Sequence, residues 1–327
     1  MEHERFLSVK DLVVEYTQGA DIIHAVNGVS FELEKGKTLG LVGETGAGKT
    51  SIAKAILRVL PDVGAFIRSG EVLLEGKNLV RLSEPEMQEI RGNKIAMIFQ
   101  DPMTALNPLM TVGEQITEAI SLHNRDWNSA RCGEEAVRML EMVGIPGERF
   151  HEYPYQFSGG MKQRVVIAMA LSCDPELLLA DEPTTALDVT IQAQVLSLIK
   201  GLRKKMNTSM ILITHDLGVV AEMCDEVATV YAGRIVEKGS VMEVYTHPAH
   251  PYTKGLFGAL PTMNTGRRLT PIPGMMPDPA QESVGCPFAP RCKYATALCM
   301  EQAPQLRKLD GGHYTACHHD VGGNADE

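Results

Sequence analysis

Thr38-Leu39-Gly40-Leu41-Val42-Gly43-Glu44-Thr45-Gly46-Ala47-Gly48-Lys49-Thr50-Ser51-Ile52-Ala53-Lys54-Ala55-Ile56-Leu57 contains three elements in succession. Thr38–Val42 is a short apolar run of strand type, and Ser51–Leu57 has helical spacing of its apolar residues. Between them, Gly43–Thr50 fits G-x-x-x-x-G-K-[ST]. In that pattern Gly-rich backbone N–H groups and a helix N-terminus surround an anion, and the lysine reaches its outer phosphates. A glycine turn that merely precedes a lysine does not need the flanking strand and helix. The segment therefore predicts an α/β fold that holds a nucleotide on Gly43, Glu44, Thr45, Gly46, Ala47, Gly48, Lys49, Thr50 and Ser51.

Three further apolar runs deliver polar residues at their carboxyl ends. Leu177-Leu178-Leu179-Ala180 ends in Asp181-Glu182, Met210-Ile211-Leu212-Ile213-Thr214 in His215-Asp216, and Ile95-Ala96-Met97-Ile98-Phe99 in Gln100. Continuous apolar runs are the signature of parallel strands covered on both faces, and in such sheets function collects at the carboxyl edge. A mostly parallel core sheet follows. Asp181 is placed to hold Mg²⁺ with the Thr50 hydroxyl, and Glu182 alternates to the other side of the strand, where it could polarise an attacking water. Read singly, His215 and Gln100 are more often structural than catalytic, and a solvated acidic turn is the bland reading of the two acids. Far downstream of the loop, Ser158-Gly159-Gly160-Met161-Lys162-Gln163 places a Gly-flanked serine at the start of another helix. This second anion-binding end is more than one compact nucleotide site needs, and two half-sites suggest two subunits.

In this order, Gly43–Thr50, Gln100, Ser158–Gln163, Asp181-Glu182, Ala186-Leu187-Asp188 and His215 resemble the ATP-binding cassette (ABC) ATPases over roughly residues 5–245. The resemblance implies a P-loop NTPase fold with an N-terminal antiparallel β subdomain and a helical subdomain at about 101–165. It implies that Lys49 and Thr50 bind phosphates and Mg²⁺, that Asp181 is the second metal-site acid, and that Gln100 senses the metal and meets a membrane partner. Glu182 would be the general base and His215 a γ-phosphate contact. Ser158, Gly159 and Gly160 would touch ATP held by the opposite subunit, and Asp188 would set that interface. Tyr16 matches the aromatic on which adenine stacks in this family; the alternative is a strand aromatic packed on the small sheet. Phe157 and Met161 depart from the usual Leu-Ser-Gly-Gly-Gln but leave Ser-Gly-Gly intact.

Composition agrees with this reading. The chain has 327 residues, 44% of them hydrophobic, enough for one large core with an appendage. No apolar stretch approaches a membrane span, and Met1-Glu2-His3-Glu4-Arg5 lacks a signal-peptide pattern, so membrane attachment is expected to come from a protein partner. A net charge of −10 argues against a general nucleic-acid binder. No internal repeat or low-complexity tract is visible. Leu106–Phe150 is richer in polar helical patterns, with Glu134–Val143 the clearest amphipathic stretch. In the cassette family this region receives a helix of the transmembrane subunits; an ordinary helical insertion would read the same. Pro102, Asn107 and Pro108 mark its entry loop.

Beyond residue 245 the chain becomes Pro-rich, at His247-Pro248, His250-Pro251, Pro261, Pro271, Pro273, Pro277 and Pro279, and then carries Cys286, Cys292, Cys299 and Cys317. Cys132, Cys173 and Cys224 are scattered and read as ordinary thiols. A disulfide pair fits poorly with a chain lacking an export signal. The gaps of five, six and seventeen residues are long for a zinc knuckle, although His313, His318 and His319 keep Zn²⁺ as an alternative. An iron–sulfur cluster on four thiolates tolerates such loops, with Cys286-Pro287 and Pro290-Arg291-Cys292 setting rigid turns; chance clustering remains open. With few aliphatics, this tail is expected to have little core of its own.

His250-Pro251-Tyr252-Thr253-Lys254-Gly255-Leu256 and the cysteine-bearing tail are similar to ATPase subunits of bacterial dipeptide and oligopeptide importers, including relatives that move nickel complexes. That resemblance implies a peripheral subunit on the cytoplasmic face of the bacterial membrane. A second, related ATPase, two transmembrane permeases and an extracytoplasmic solute-binding protein would complete the system, with no nucleic acid. It also implies a [4Fe-4S] cluster in some members. The expected division is a nucleotide-binding domain over 1–245 and a C-terminal extension with a four-cysteine metal site over 246–327. A non-transport cassette ATPase and a metal sensor with residual nucleotide binding are the competing classes.

Overall fold

The computed structural model describes residues 5–185, 187–259, 271–281 and 283–319. Met1–Glu4, Ala186 and Pro261 lie outside them. The chain forms two compact units.

One unit comprises Glu34–Lys37 and Arg81–Ile213. Its sheet is the parallel set Ile95–Ile98, Leu177–Asp181 and Ser209–Ile213, with Ile95 beside Leu177 and Leu177 beside Ser209. Every residue of the three strands is buried, which is why each reads as an unbroken apolar run. Their register brings the ends at Ile98 and Asp181 to the same edge. Four helices follow the side-chain caps that the sequence supplies. Thr111 and Glu114 form a capping box for Val112–His123, and Asn128 caps Ser129–Met142, the amphipathic stretch. Ser158 caps Gly159–Leu171, and Asp188 caps Val189–Met206. The first three pack against one another around Ile116, Ile120, Met139, Leu140 and Ile167, all buried. Pro102–Ala105, read as loop, is a single helical turn.

The other unit joins Arg5–Leu33, Thr38–Val80 and the chain from Thr214 onward. Asp21–Glu34, Arg5–Gln18, Ala65–Leu74 and Lys77–Asn78 make a four-stranded sheet in that spatial order, the expected N-terminal β subdomain. Thr38–Val42 pairs in parallel with Glu226–Tyr231, and the helix Lys49–Leu57 follows the phosphate loop. The sheet then turns antiparallel through Arg234–Ser240, Tyr314–Thr315 and Arg307–Lys308. The C-terminal segment thus adds strands to the cassette. It also shares a core with it: Tyr231, Val236, Tyr252 and Phe288 are buried together, with Leu256, Ile272, Met276, Cys286 and Cys292 packed around them. The tail's scarcity of aliphatics is met by packing its own Tyr252 and Phe288 on Tyr231 and Val236 of the two preceding strands.

Candidate nucleotide-binding and catalytic residues

Two glycines of the phosphate loop sit where no side chain fits. Gly43 and Gly48 have φ of 150° and 100°, and a Cβ there would stand 2.2 Å from the Val230 carbonyl oxygen and 2.3 Å from that of Ala25. Lys49 is buried, and its Nζ donates to the carbonyls of Gly43 and Glu44 at 2.8 and 2.9 Å, drawing the loop into a ring. Ala47 N donates to Glu44 O at 3.2 Å within it. Thr45 and Gly46 stand exposed at the rim. Such a ring of backbone amides at a helix start, with a cation inside it, fits a phosphate chain. Tyr16 is half-buried, and its hydroxyl donates to Ser51 Oγ at 3.1 Å, which puts its ring beside the loop's helix. A cavity of about 260 Å³ opens next to Gly46, with Ala25, Asn27 and Met276 in its wall.

His215 is exposed in the same unit, on a short link whose backbone is fixed from both sides. Asp216 N donates to Thr214 Oγ1 at 3.0 Å, and Asp216 Oδ1 accepts from Gly218 N and Val219 N to start the next helix.

In the other unit Asp181 ends its strand only 2% exposed. Glu182 adopts φ 45°, a left-handed conformation costly for a residue with a side chain, and is pinned there by its N–H donating to Ile213 O at 2.8 Å. Its Oε2 accepts from Gln100 Nε2 at 3.1 Å and from Thr185 Oγ1 at 2.8 Å. The structure thus brings Gln100 and Glu182 together. Ser158 is exposed, and its Oγ accepts from Met161 N at 3.4 Å. Gly160 admits Ile191: a Cβ would come within 2.5 Å of its methyl carbon. Asp188 Oδ1 accepts from Ile191 N at 3.0 Å, so the Ser-Gly-Gly helix and the Asp188 helix meet at one side chain. Sequence reading placed Gln163 in the Ser158–Gln163 motif without a role of its own; its buried Nε2 donates to Pro183 O at 2.6 Å and ties the Ser-Gly-Gly helix to the turn after Glu182.

Cys286, Cys292, Cys299 and Cys317 all line one small cavity, of about 10 Å³, as free thiols. Cys286 N donates to Cys299 O at 2.8 Å, and His319 N to Cys317 Sγ at 3.4 Å. Burial pushes the thiols of Cys286, Cys292 and Cys317 above their ordinary value. Among the described residues no three His, Cys, Asp or Glu side chains are grouped as a metal site. His313 is engaged by Glu237 at 2.6 Å and His318 by the Gln302 carbonyl at 2.9 Å, whereas His319 Nε2 lies 3.4 Å from Cys299 Sγ.

Two family models match: "ABC transporter" over residues 26–185, and "Oligopeptide/dipeptide transporter, C-terminal region" over 236–299. The chain is 51% identical to the oligopeptide transport ATP-binding protein OppD of Bacillus subtilis, covering 95% of this chain and 87% of that protein. It is 50% identical to the dipeptide transport ATP-binding protein DppD of the same organism, with 96% and 94% covered. A post-hydrolysis dimer of the ATP-binding cassette MJ0796, bound to ADP and Pi, superposes with a TM-score of 0.65 at 26% identity over 72% of this chain and 98% of that one. With near-complete coverage at half identity, the chain belongs to the ABC transporter ATP-binding proteins of the oligopeptide/dipeptide family.

Proposed function

We propose that this chain is the ATP-hydrolysing subunit of a bacterial importer for di- or oligopeptides. The observation that carries this reading is the likeness along the whole length, tail included, to proteins named for peptide transport. Residues 1–245 serve as the nucleotide-binding portion and 246–327 as the extension. Lys49 leaves the carbonyls of Gly43 and Glu44 for phosphate oxygens, and the loop amides take the rest of the charge. Tyr16 stacks the adenine. Thr50, Asp181 and Gln100 are the residues that would hold Mg²⁺, which supplies neutralisation of phosphate charge when bound. Glu182 takes the proton of the attacking water, and His215 donates to the outer phosphate. Ser158, Gly159, Gly160 and Asp188 serve ATP held by a second, related ATPase chain. Two permeases and an extracytoplasmic binding protein complete the system, and they place this chain at the cytoplasmic face of the membrane. Among the described residues no helix is long and apolar enough to cross a membrane.

Purification in mild detergent tests this: two polytopic proteins should accompany the chain, and dipeptide uptake should fail when Glu182 is changed to Gln. Uptake of nickel but not peptide would redirect the substrate. Association with ribosomes or DNA, without membrane partners, would overturn transport.

The four cysteines are proposed to hold a [4Fe-4S] cluster, supported by their convergence on a single cavity. Anaerobically prepared protein should be brown, and serine at any of the four should remove the colour. The approach of His319 to Cys299 favours Zn²⁺ as the second reading, with His313 withdrawn from it by Glu237. Stoichiometric zinc without sulfide in iron-replete protein would establish that alternative.

A further inference from the structure

The phosphate loop carries an acid, Glu44, where an anion must bind. Its carboxylate is met by Arg291, from the C-terminal segment, through a two-pronged pair: Nη1 to Oε2 at 2.9 Å and Nη2 to Oε1 at 3.0 Å. The Arg291 side chain is 6% exposed and that of Glu44 31%. Arg291 is held by further partners. Its Nε donates to Pro273 O at 2.8 Å, Nη1 reaches the Tyr231 hydroxyl at 3.3 Å, and the guanidinium stands 5.9 Å from the Phe288 ring centroid. Burial works against its charge, but the bonds to Glu44 and Tyr231 outweigh it and hold the guanidinium above its ordinary value. The backbone of Glu44 is held from the same segment, its N–H donating to the Tyr252 hydroxyl at 2.8 Å. The Glu44 carbonyl in turn accepts from Lys49.

We propose that Arg291 is a positioning residue for ATP binding: it neutralises Glu44 and, through it, sets the phosphate loop in which Lys49 lies. The inference rests on Gly43–Thr50 being the nucleotide site. Two consequences follow from charge and geometry. Without Arg291, a bare carboxylate sits on the loop and repels a polyanionic ligand; without both partners, that repulsion is gone. Because Arg291 immediately precedes Cys292, and Phe288 lies between Cys286 and that turn, whatever fixes the four-cysteine segment also fixes the guanidinium.

The test is equilibrium binding of a fluorescent trinitrophenyl-ATP with Mg²⁺ to the purified full chain. Arg291→Gln should raise Kd about tenfold, and added salt should shrink the difference. Arg291→Gln combined with Glu44→Gln should recover affinity to within about threefold of Glu44→Gln alone, a reversal that a merely structural role does not produce. Thermal melting of each apo protein checks folding; if Arg291→Gln does not fold, Arg291→Lys, which keeps charge and loses the fork, should give a smaller rise of about threefold. Unchanged affinity in the foldable Arg291 variant, or a double variant as weak as the single one, overturns the proposal. Lys49→Ala separates the two levels: if it abolishes binding while Arg291 variants bind normally, only the Arg291 role fails, and if it too binds normally, the nucleotide site itself is misassigned.

Discussion

Glu237 is fully buried on the strand Arg234–Ser240 and should be the residue on which attachment of the C-terminal segment depends. Its Oε1 accepts from Ala249 N at 2.7 Å and its Oε2 from His250 N at 2.9 Å, while His313 Nε2 lies 2.6 Å from Oε1. Glu237→Ala strands two amides on residues only 4% and 1% exposed, together with one imidazole. An unsatisfied buried donor costs about 1–3 kcal/mol, so the loss of three partners should total about 3–9 kcal/mol, a large part of the stability of an ordinary domain. Glu237→Gln keeps the volume and one acceptor but turns an NH₂ toward a donor, and should cost about 2–3 kcal/mol. The single tryptophan, Trp127, lies in the other unit, so its fluorescence is the wrong probe. Urea unfolding followed by circular dichroism, with limited proteolysis mapping the first cut, reads the right region. The variant should be cut first beyond Thr246. A Glu237→Ala protein within about 1 kcal/mol of the parent and equally resistant to protease would refute the network's role.

Glu182→Gln should lower ATP turnover by about 10²–10⁴-fold while leaving MgATP affinity within about threefold, measured by phosphate release and nucleotide binding on the assembled transporter. Near-normal turnover would remove Glu182 from the base role. Ser158→Arg should preserve nucleotide binding at the chain's own Lys49 but suppress hydrolysis at the site that Ser158 completes on the partner; failure of its own site instead would reverse the assignment. His250, whose pKa burial lowers to about 4 against the opposing charge of Glu237, is neutral when folded, whereas an unfolded histidine protonates near 6.5. Its contribution is therefore present above about pH 6.5 and lost as pH falls through 4, about 3 kcal/mol in all, and His250→Asn should flatten that part of a stability–pH curve.

What could be read from the chain was whatever burial imposes on contiguous residues. Leu177–Asp181 and Ser209–Ile213 are enclosed along their whole length, so their composition has no polar face and their ends stand out as Asp181-Glu182 and Thr214-His215. Helix starts were legible for the same local reason: Ser158 and Asp188 cap the helices they precede. Contacts closed by remote residues were not. Arg291 meets Glu44 across 247 residues and His313 meets Glu237 across 76, and no periodicity links such pairs. The two-residue strands Arg307–Lys308 and Tyr314–Thr315 are too short to show alternation. The left-handed backbone of Glu182 is invisible in sequence because its cause is a hydrogen bond to Ile213, a strand away.

The surroundings of Glu182 indicate how a signal at the surface could reach the chemistry. The proposed role of Glu182 as general base needs an oxygen turned toward water, and its Oε2 already accepts from Gln100 and Thr185. Thr185 is three residues away on the same turn and moves with Glu182. Gln100 sits at the end of a different strand, exposed, at the entrance to the loop that leads into the helices. Of the two donors to Glu182, only Thr185 belongs to its own turn, so the Gln100 bond can be lost without dismantling that turn. Gln163 restrains the same turn from the Ser-Gly-Gly helix through Pro183. Glu182, the proposed base, is thus restrained from two sides, by Gln100 at the end of another strand and by the helix that Ser158 caps.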